Sequence, residues 1–148
     1  MRKTIIAVLF VLASATGANA QNVVTRAIEK VSDGIASFYH DKFVGRKTAT
    51  GEVFDNNKYT AASNTHKLGT YVKVTNLTNG EVVYVKVNDR MAANNHRLLD
   101  LTSQAASDLR FRNAGTTKVK VEPVSENEGR SRVIAQSTVK AGRASNQL

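Results

Sequence analysis

Residues 70–89 read TYVKVTNLTNGEVVYVKVND, and this stretch decides the fold. Val72 and Val74 alternate with Tyr71 and Lys73, and Val83, Val85 and Val87 alternate with Val82, Tyr84 and Lys86. Residues two apart share one face of a strand, so each run buries a row of valines and leaves the other row to water. Asn79-Gly80 lies between the runs. Both residues tolerate positive φ, which predicts a hairpin. Working outward, Lys118–Val124 alternates in the same way, with Val119 and Val121 opposed to Lys118 and Lys120. Ile35–Tyr39 reads as a first strand. Thr102 followed by Ser103–Leu109 predicts one helix with Thr102 as its N-cap and with Leu101, Ala105 and Leu109 on the buried side. Several short strands, one short helix and many turns predict a small closed β-barrel.

The chain has 148 residues, enough for one modest domain. It carries 21 Lys+Arg against 12 Asp+Glu, a formal charge of +9, and no Cys. The lack of cysteine excludes a disulfide scaffold, a thiolate nucleophile, a Cys-ligated metal and a lipid-anchored cysteine. Residues 1–20 place Arg2 and Lys3 before an unbroken apolar run, Ile5–Ala13, and end on Ala18-Asn19-Ala20. The run is too short for a bilayer core of about 30 Å. A basic start, a short apolar run and a small-x-small site, in that order, define a secretory signal peptide cut after Ala20. Residues 21–32 read as a leader, 33–124 as the folded domain and 125–148 as a disordered basic tail. That tail has no aromatic residue and too few apolar ones to offset chain entropy. The expectation is an exported monomer, periplasmic or cell-wall associated, neither a lipoprotein nor an integral membrane protein. A positive surface suits an anionic cell wall. Nucleic acid is not an expected partner, because aromatic and basic residues do not cluster.

Four carboxylates stand out. Glu52 and Asp55 are separated by Val53-Phe54, Asp89 ends the Val83–Val87 run, and Asp100 interrupts the apolar series Leu98-Leu99-Asp100-Leu101. A charge within such a series is costly unless it is paired, hydrogen-bonded or protonated. Each has a plainer explanation: Asp89 as a partner of Arg90, Asp100 as a helix-start acceptor, Glu52 as a solvated turn residue, Asp55 as an Asx turn with Asn56-Asn57. His40, His66 and His96 lack close helical spacing and any cysteine partner, so no metal site is expected.

The ordered set Gly34-Ile35-Ala36-Ser37-Phe38-Tyr39, Gly45-Arg46-Lys47-Thr48-Ala49, Gly51-Glu52, Thr60-Ala61-Ala62, Leu68-Gly69-Thr70, Val87-Asn88-Asp89-Arg90 and Arg97-Leu98-Leu99-Asp100-Leu101-Thr102 resembles the RlpA-like proteins (rare lipoprotein A, septal ring lytic transglycosylases). The resemblance spans about Gly34 to Val124. It implies a mainly β fold, a six-stranded double-psi β-barrel with one or two short helices, related to the barrels of expansins. It also implies cleavage of the bond between N-acetylmuramic acid and N-acetylglucosamine in peptidoglycan glycan strands, leaving 1,6-anhydro ends, with no metal or organic cofactor. Carried over by position, Asp100 is the expected acid/base, on the ground that an apolar setting raises a carboxyl pKa. Glu52, Asp55 and Asp89 are the expected second carboxylates or substrate holders. Tyr39, Tyr59, Ser63, His66 and Arg90 are the expected substrate-binding residues, the two tyrosines because they flank the carboxylate segment.

The chain departs from the family pattern in two loops. Ser63 stands where the family usually has His, and Met91-Ala92 where it usually has Gly-Pro. These departures motivate the rival reading, a non-catalytic expansin-like module that binds or loosens wall polysaccharide.

Overall fold

The computed structural model describes residues 31–147. The expected signal peptide and most of the leader lie outside them. Six strands, β1 (Ser32–Phe38), β2 (Thr60–Ala62), β3 (Tyr71–Asn76), β4 (Val82–Asp89), β5 (Leu99–Leu101) and β6 (Thr117–Val124), close into a barrel in the order β1-β5-β2-β4-β3-β6. The β1–β5 and β2–β4 pairs are parallel and the other four antiparallel. The strand pattern predicts a small closed barrel, and the fold is the six-stranded double-psi β-barrel that the family resemblance implies.

The valine rows point inward as their alternation requires. Val72 pairs with Val85, Val74 with Val83, and Val74 also with Val121. These residues, with Val87, Leu99, Leu101 and Val119, are essentially fully buried. Lys73, Tyr84 and Lys86 lie on the opposite, partly exposed face. The hairpin exists, but its loop covers residues 77–81, and among its residues only Gly80 takes a positive φ, +77°. The Asn79 side chain accepts from the Glu81 N–H and donates to the Leu109 carbonyl, which ties the loop to the end of the first helix.

That helix, α1 (Ser103–Asp108), starts as the sequence indicates. The Thr102 hydroxyl accepts from the Ala105 N–H, and Ala105, Ala106 and Leu109 are buried. It packs against β4 and β1. A 3-10 turn over Asp41–Phe43 follows β1.

The segment expected to be a disordered tail is instead a helix, α2 (Glu126–Ser145). The physical reason lies in its termini and its packing, because an apolar stripe is missing. Ser125 accepts from the Glu128 N–H, Glu126 and Glu128 occupy the positive first turn, and Arg143 occupies the negative last turn. The helix lies across β3 and β4. Gly129 is buried against the Tyr71 ring. The Gln136 amide accepts from the Tyr84 N–H at 2.7 Å and donates to the Tyr84 carbonyl at 2.8 Å. β2 pairs with β4 only over Lys86–Asp89, so Gln136 fills the β4 edge that β2 is too short to reach.

Candidate functional site

Strand register builds the site. Ser37 on β1 pairs with Asp100 on β5, Asp100 with Ala62 on β2, and Ala62 with Asp89 on β4. Paired residues share a face, so Ser37, Asp100 and Asp89 lie in one row across four strands. Asp89 joins the row through an irregularity: Val87 and Asp89 oppose the consecutive Ala61 and Ala62, leaving Asn88 as an extra residue. A bulge of this kind re-aims the side chains that follow it.

The two aspartates are held differently. Asp89 Oδ2 accepts the Tyr39 phenol at 2.7 Å, and Oδ1 accepts the backbone N–H groups of Ala49 and Arg90 at 2.9 and 2.8 Å. Asp100 faces Arg97 side-on, taking Nε at 2.8 Å on Oδ1 and an Nη at 3.0 Å on Oδ2, and it accepts the Ser37 hydroxyl at 2.6 Å. The apolar setting expected of Asp100 is therefore not its own. Leu99 and Leu101 turn into the barrel, and strand alternation points Asp100 the other way, into an ion pair.

Tyr39 donates to Asp89 and also feels the charge of Asp100. Its ring packs on Phe43 and Phe54, with centroids 5.8 and 4.4 Å away. Burial, then the hydrogen bond to Asp89, then the negative charges of Asp89 and Asp100, push its phenol far above the ordinary tyrosine range. Tyr59 is pushed up as well, by burial and by its bond to Asp108. A raised phenol pKa means that the folded state keeps a proton the unfolded chain releases near pH 10. The stability these two groups contribute is full below pH 10 and is lost as pH rises beyond it. Denaturant midpoints measured from pH 8 to 11 should fall above about pH 10, and the fall should shrink in the Tyr39→Phe variant. An unchanged fall would exclude Tyr39 as its source.

Glu52 sits beside this row and does not join it. It accepts Lys86 Nζ at 2.8 Å and the Asn88 amide at 3.0 Å, and these bonds hold its carboxyl below the usual carboxylate range. With the Thr50 N–H on the Asn88 carbonyl and the Ala49 N–H on Asp89, Glu52 staples the 48–54 loop to the end of β4. Arg90 braces the opposite loop, its guanidinium donating to the carbonyls of Ser63 and, at 2.7 Å, of His66.

Other expected site residues fall elsewhere. Asp55 accepts from the Asn57 N–H in an Asx turn. Tyr59 is 3% exposed and donates to Asp108 beside α1, on another side of the barrel. Ser63 and His66 are both buried, with Ser63 Oγ 3.1 Å from His66 Nδ1. They brace the loop beneath the row and do not line its surface. The residues that sequence reasoning missed are Ser37, Arg97 and Asn88. Arg97 had a local signal, a cation three residues before the suspect carboxylate, which is also the spacing of the ion pair it forms. Among the described residues no group of three or more His, Cys, Asp or Glu gathers to hold a metal, and no helix is long and apolar enough to cross a membrane.

The family model described as lytic transglycolase matches residues 31–121. A Pasteurella multocida protein named endolytic peptidoglycan transglycosylase RlpA is 45% identical over 108 residues, which cover 72% of this chain and 37% of that protein. A Neisseria meningitidis protein of the same name is 44% identical over 108 residues, covering 68% of this chain and 45% of that one. The chain thus spans less than half the length of these curated relatives. In solved structures, the Streptomyces papain inhibitor superposes with a TM-score of 0.53 at 22% identity, over 65% of this chain and 96% of that one. Cerato-platanin 3 from M. perniciosa superposes with a TM-score of 0.52 at 14% identity, over 67% and 99%. At those identities the structures share the fold alone. With residues 31–121 matched and relatives above 40% identity, the chain belongs to the RlpA-like lytic transglycolase family of double-psi β-barrels.

Proposed function

We propose that this protein is an endolytic lytic transglycosylase that cleaves peptidoglycan glycan strands, leaving 1,6-anhydromuramoyl ends. The observation that carries this reading is the shared row of Asp89 and Asp100, with Tyr39 bound to Asp89, in a chain of this family. The reaction needs a proton delivered to the glycosidic oxygen as the C1–O bond breaks. It then needs a base for the muramoyl C6 hydroxyl as that oxygen closes on C1, so no water is consumed. One carboxyl can do both in turn, as acid and then as base. Asp89 is assigned that role, because Tyr39 and two backbone N–H groups fix its orientation while its neighbours include no competing cation at bonding distance. Asp100, locked to Arg97 and Ser37, supplies a fixed carboxylate that orients the sugar hydroxyls and opposes the positive charge developing at C1. Glu52 and Arg90 brace the two loops beside the row.

One observation favours the rival reading, a binding module without catalysis. Ser63 occupies the position where the family usually has His, and it is wholly buried. The discriminating experiment incubates the purified protein with intact and with peptide-stripped glycan strands and identifies the soluble products by mass spectrometry. Products with 1,6-anhydromuramoyl ends are expected. Reducing ends would mean hydrolysis. Retention on the strands without products would establish the binding module.

A further inference from the structure

A cavity of about 730 Å³ lies between α2 and the barrel, remote from the aspartate row. Its floor is the β4 edge at Val82 and Tyr84, and α1 contributes Gln104, Ser107 and Asp108. α2 turns Arg132, Gln136, Lys140 and Arg143 toward it. Their spacing of four, four and three residues keeps them on one helix face over about 16 Å.

The charges in this cavity do not balance. Its two acids are already engaged, Asp108 by the Tyr59 hydroxyl and the Gln104 amide, Glu81 by Arg110 at 3.3 Å. Among the described residues the three α2 cations that line the cavity, Arg132, Lys140 and Arg143, have no carboxylate at ion-pairing distance, whereas Arg130, outside it, pairs with Glu126. Arg132 lies 5.4 Å from the Tyr84 ring centre, and Lys140 donates to the carbonyl and side-chain oxygens of the neutral Asn57. Arg143 likewise has no acidic partner within 4 Å. Three such cations lining one cavity form a site for anionic groups.

We propose that the cleft between α2 and the barrel binds a short peptide carrying two or more free carboxylates. The cations are spread along the helix instead of focused on one point, which suits separated carboxylates better than a single phosphate. Glu81 and Asp108 repel a densely charged polymer, yet with Gln104 and Ser107 they offer acceptors for amide N–H groups. Val82 and Val139 give an apolar wall for aliphatic side chains. The volume falls within the range of pockets that enclose one small ligand. The cleft is half built from residues beyond 121, outside the part of the chain that the family model matches. The proposal does not rest on the reaction assigned to the aspartate row.

The test is calorimetric titration of the purified protein with acetyl-Ala-Glu-Ala-Ala bearing a free C-terminal carboxylate. The control peptide has Gln for Glu and a C-terminal amide. The free acid should bind, and the neutral peptide should bind at least about tenfold more weakly, the scale of one charge-assisted hydrogen bond. Arg132→Gln and Arg143→Gln should each weaken binding roughly fivefold to tenfold, with only a small fall in melting temperature from the lost ring contact of Arg132 and the lost last-turn charge of Arg143. Equal binding of both peptides, or unchanged affinity in both variants, would overturn the proposal. So would an absence of heat at millimolar peptide, or tighter binding of trigalacturonate or inorganic phosphate than of the free-acid peptide.

Discussion

Asp89→Asn is expected to reduce the rate of anhydro-end formation by about 10²–10⁴-fold, the contribution of a positioned general acid–base group. The substitution keeps size and shape, and the amide can still accept from the Ala49 and Arg90 N–H groups that fix the carboxylate now. Melting temperature should therefore change little while the product signal disappears. A variant that cleaves at the original rate would remove Asp89 from the chemistry. Asp100→Asn differs in kind, because it leaves the Arg97 guanidinium beside a neutral amide in place of its ion-pair partner. Loss of activity there would be accompanied by loss of stability, and the comparison separates a proton-transfer role from a scaffolding one.

The second large effect concerns stability. A Cβ on Gly129 would sit 2.1 Å from the Tyr71 Cβ and 2.4 Å from its Cγ, closer than any carbon contact allows. Gly129→Ala must push α2 off the β3–β4 face. The expected cost is about 1–3 kcal/mol or more, as for overpacked cores. Gly142 in the same helix has nothing within 4 Å of an added Cβ. Gly142→Ala should therefore stabilise by about 0.5–1 kcal/mol through helix propensity alone. Denaturant midpoints of the two variants should move in opposite directions. Hydrogen exchange at the Tyr84 amide should quicken in the first only, since displacement of α2 withdraws the Gln136 oxygen that Tyr84 donates to.

The same contrast marks what could be read from the residues. β3, β4 and β6 were legible because their valines alternate over six to eight residues, and α1 because Thr102 caps it. β2 and β5 were not, each being three residues long, too short for a period to show. Those two strands carry Ala62 and Asp100, so the element that assembles the site was the least visible part of the fold. The sequence neighbours of Asp100 misstate its surroundings, because adjacent strand residues face opposite sides. Tyr59 and His66 lie in loops on either side of β2, and long-range contacts that no local pattern encodes set their surroundings: Tyr59 donates to Asp108 of α1, and His66 is buried against Ser63. The low apolar content of α2 hides a helix held by its caps and by packing on β3 and β4. Its signal was the capping pair Ser125 and Glu128.

The pairing of β1 bears on when the protein acquires its site. β1 pairs only with β5 and β6, and the Ser37–Asp100 bond joins residues 63 apart in the chain. At synthesis rates of about 5–20 residues per second, the first strand waits roughly 3–12 s for its nearest partner. Within that interval β2, β3 and β4 can pair with one another, but the barrel cannot close, because β4 and β2 reach β1 only through β5 and β6. Closure of the barrel is deferred until β6 is released, since β6 joins β3 to β1. Long-range closure of this kind is slow and all-or-none. Cleft and barrel appear in one step, and a chain that stops short of Thr117 has no site to misuse.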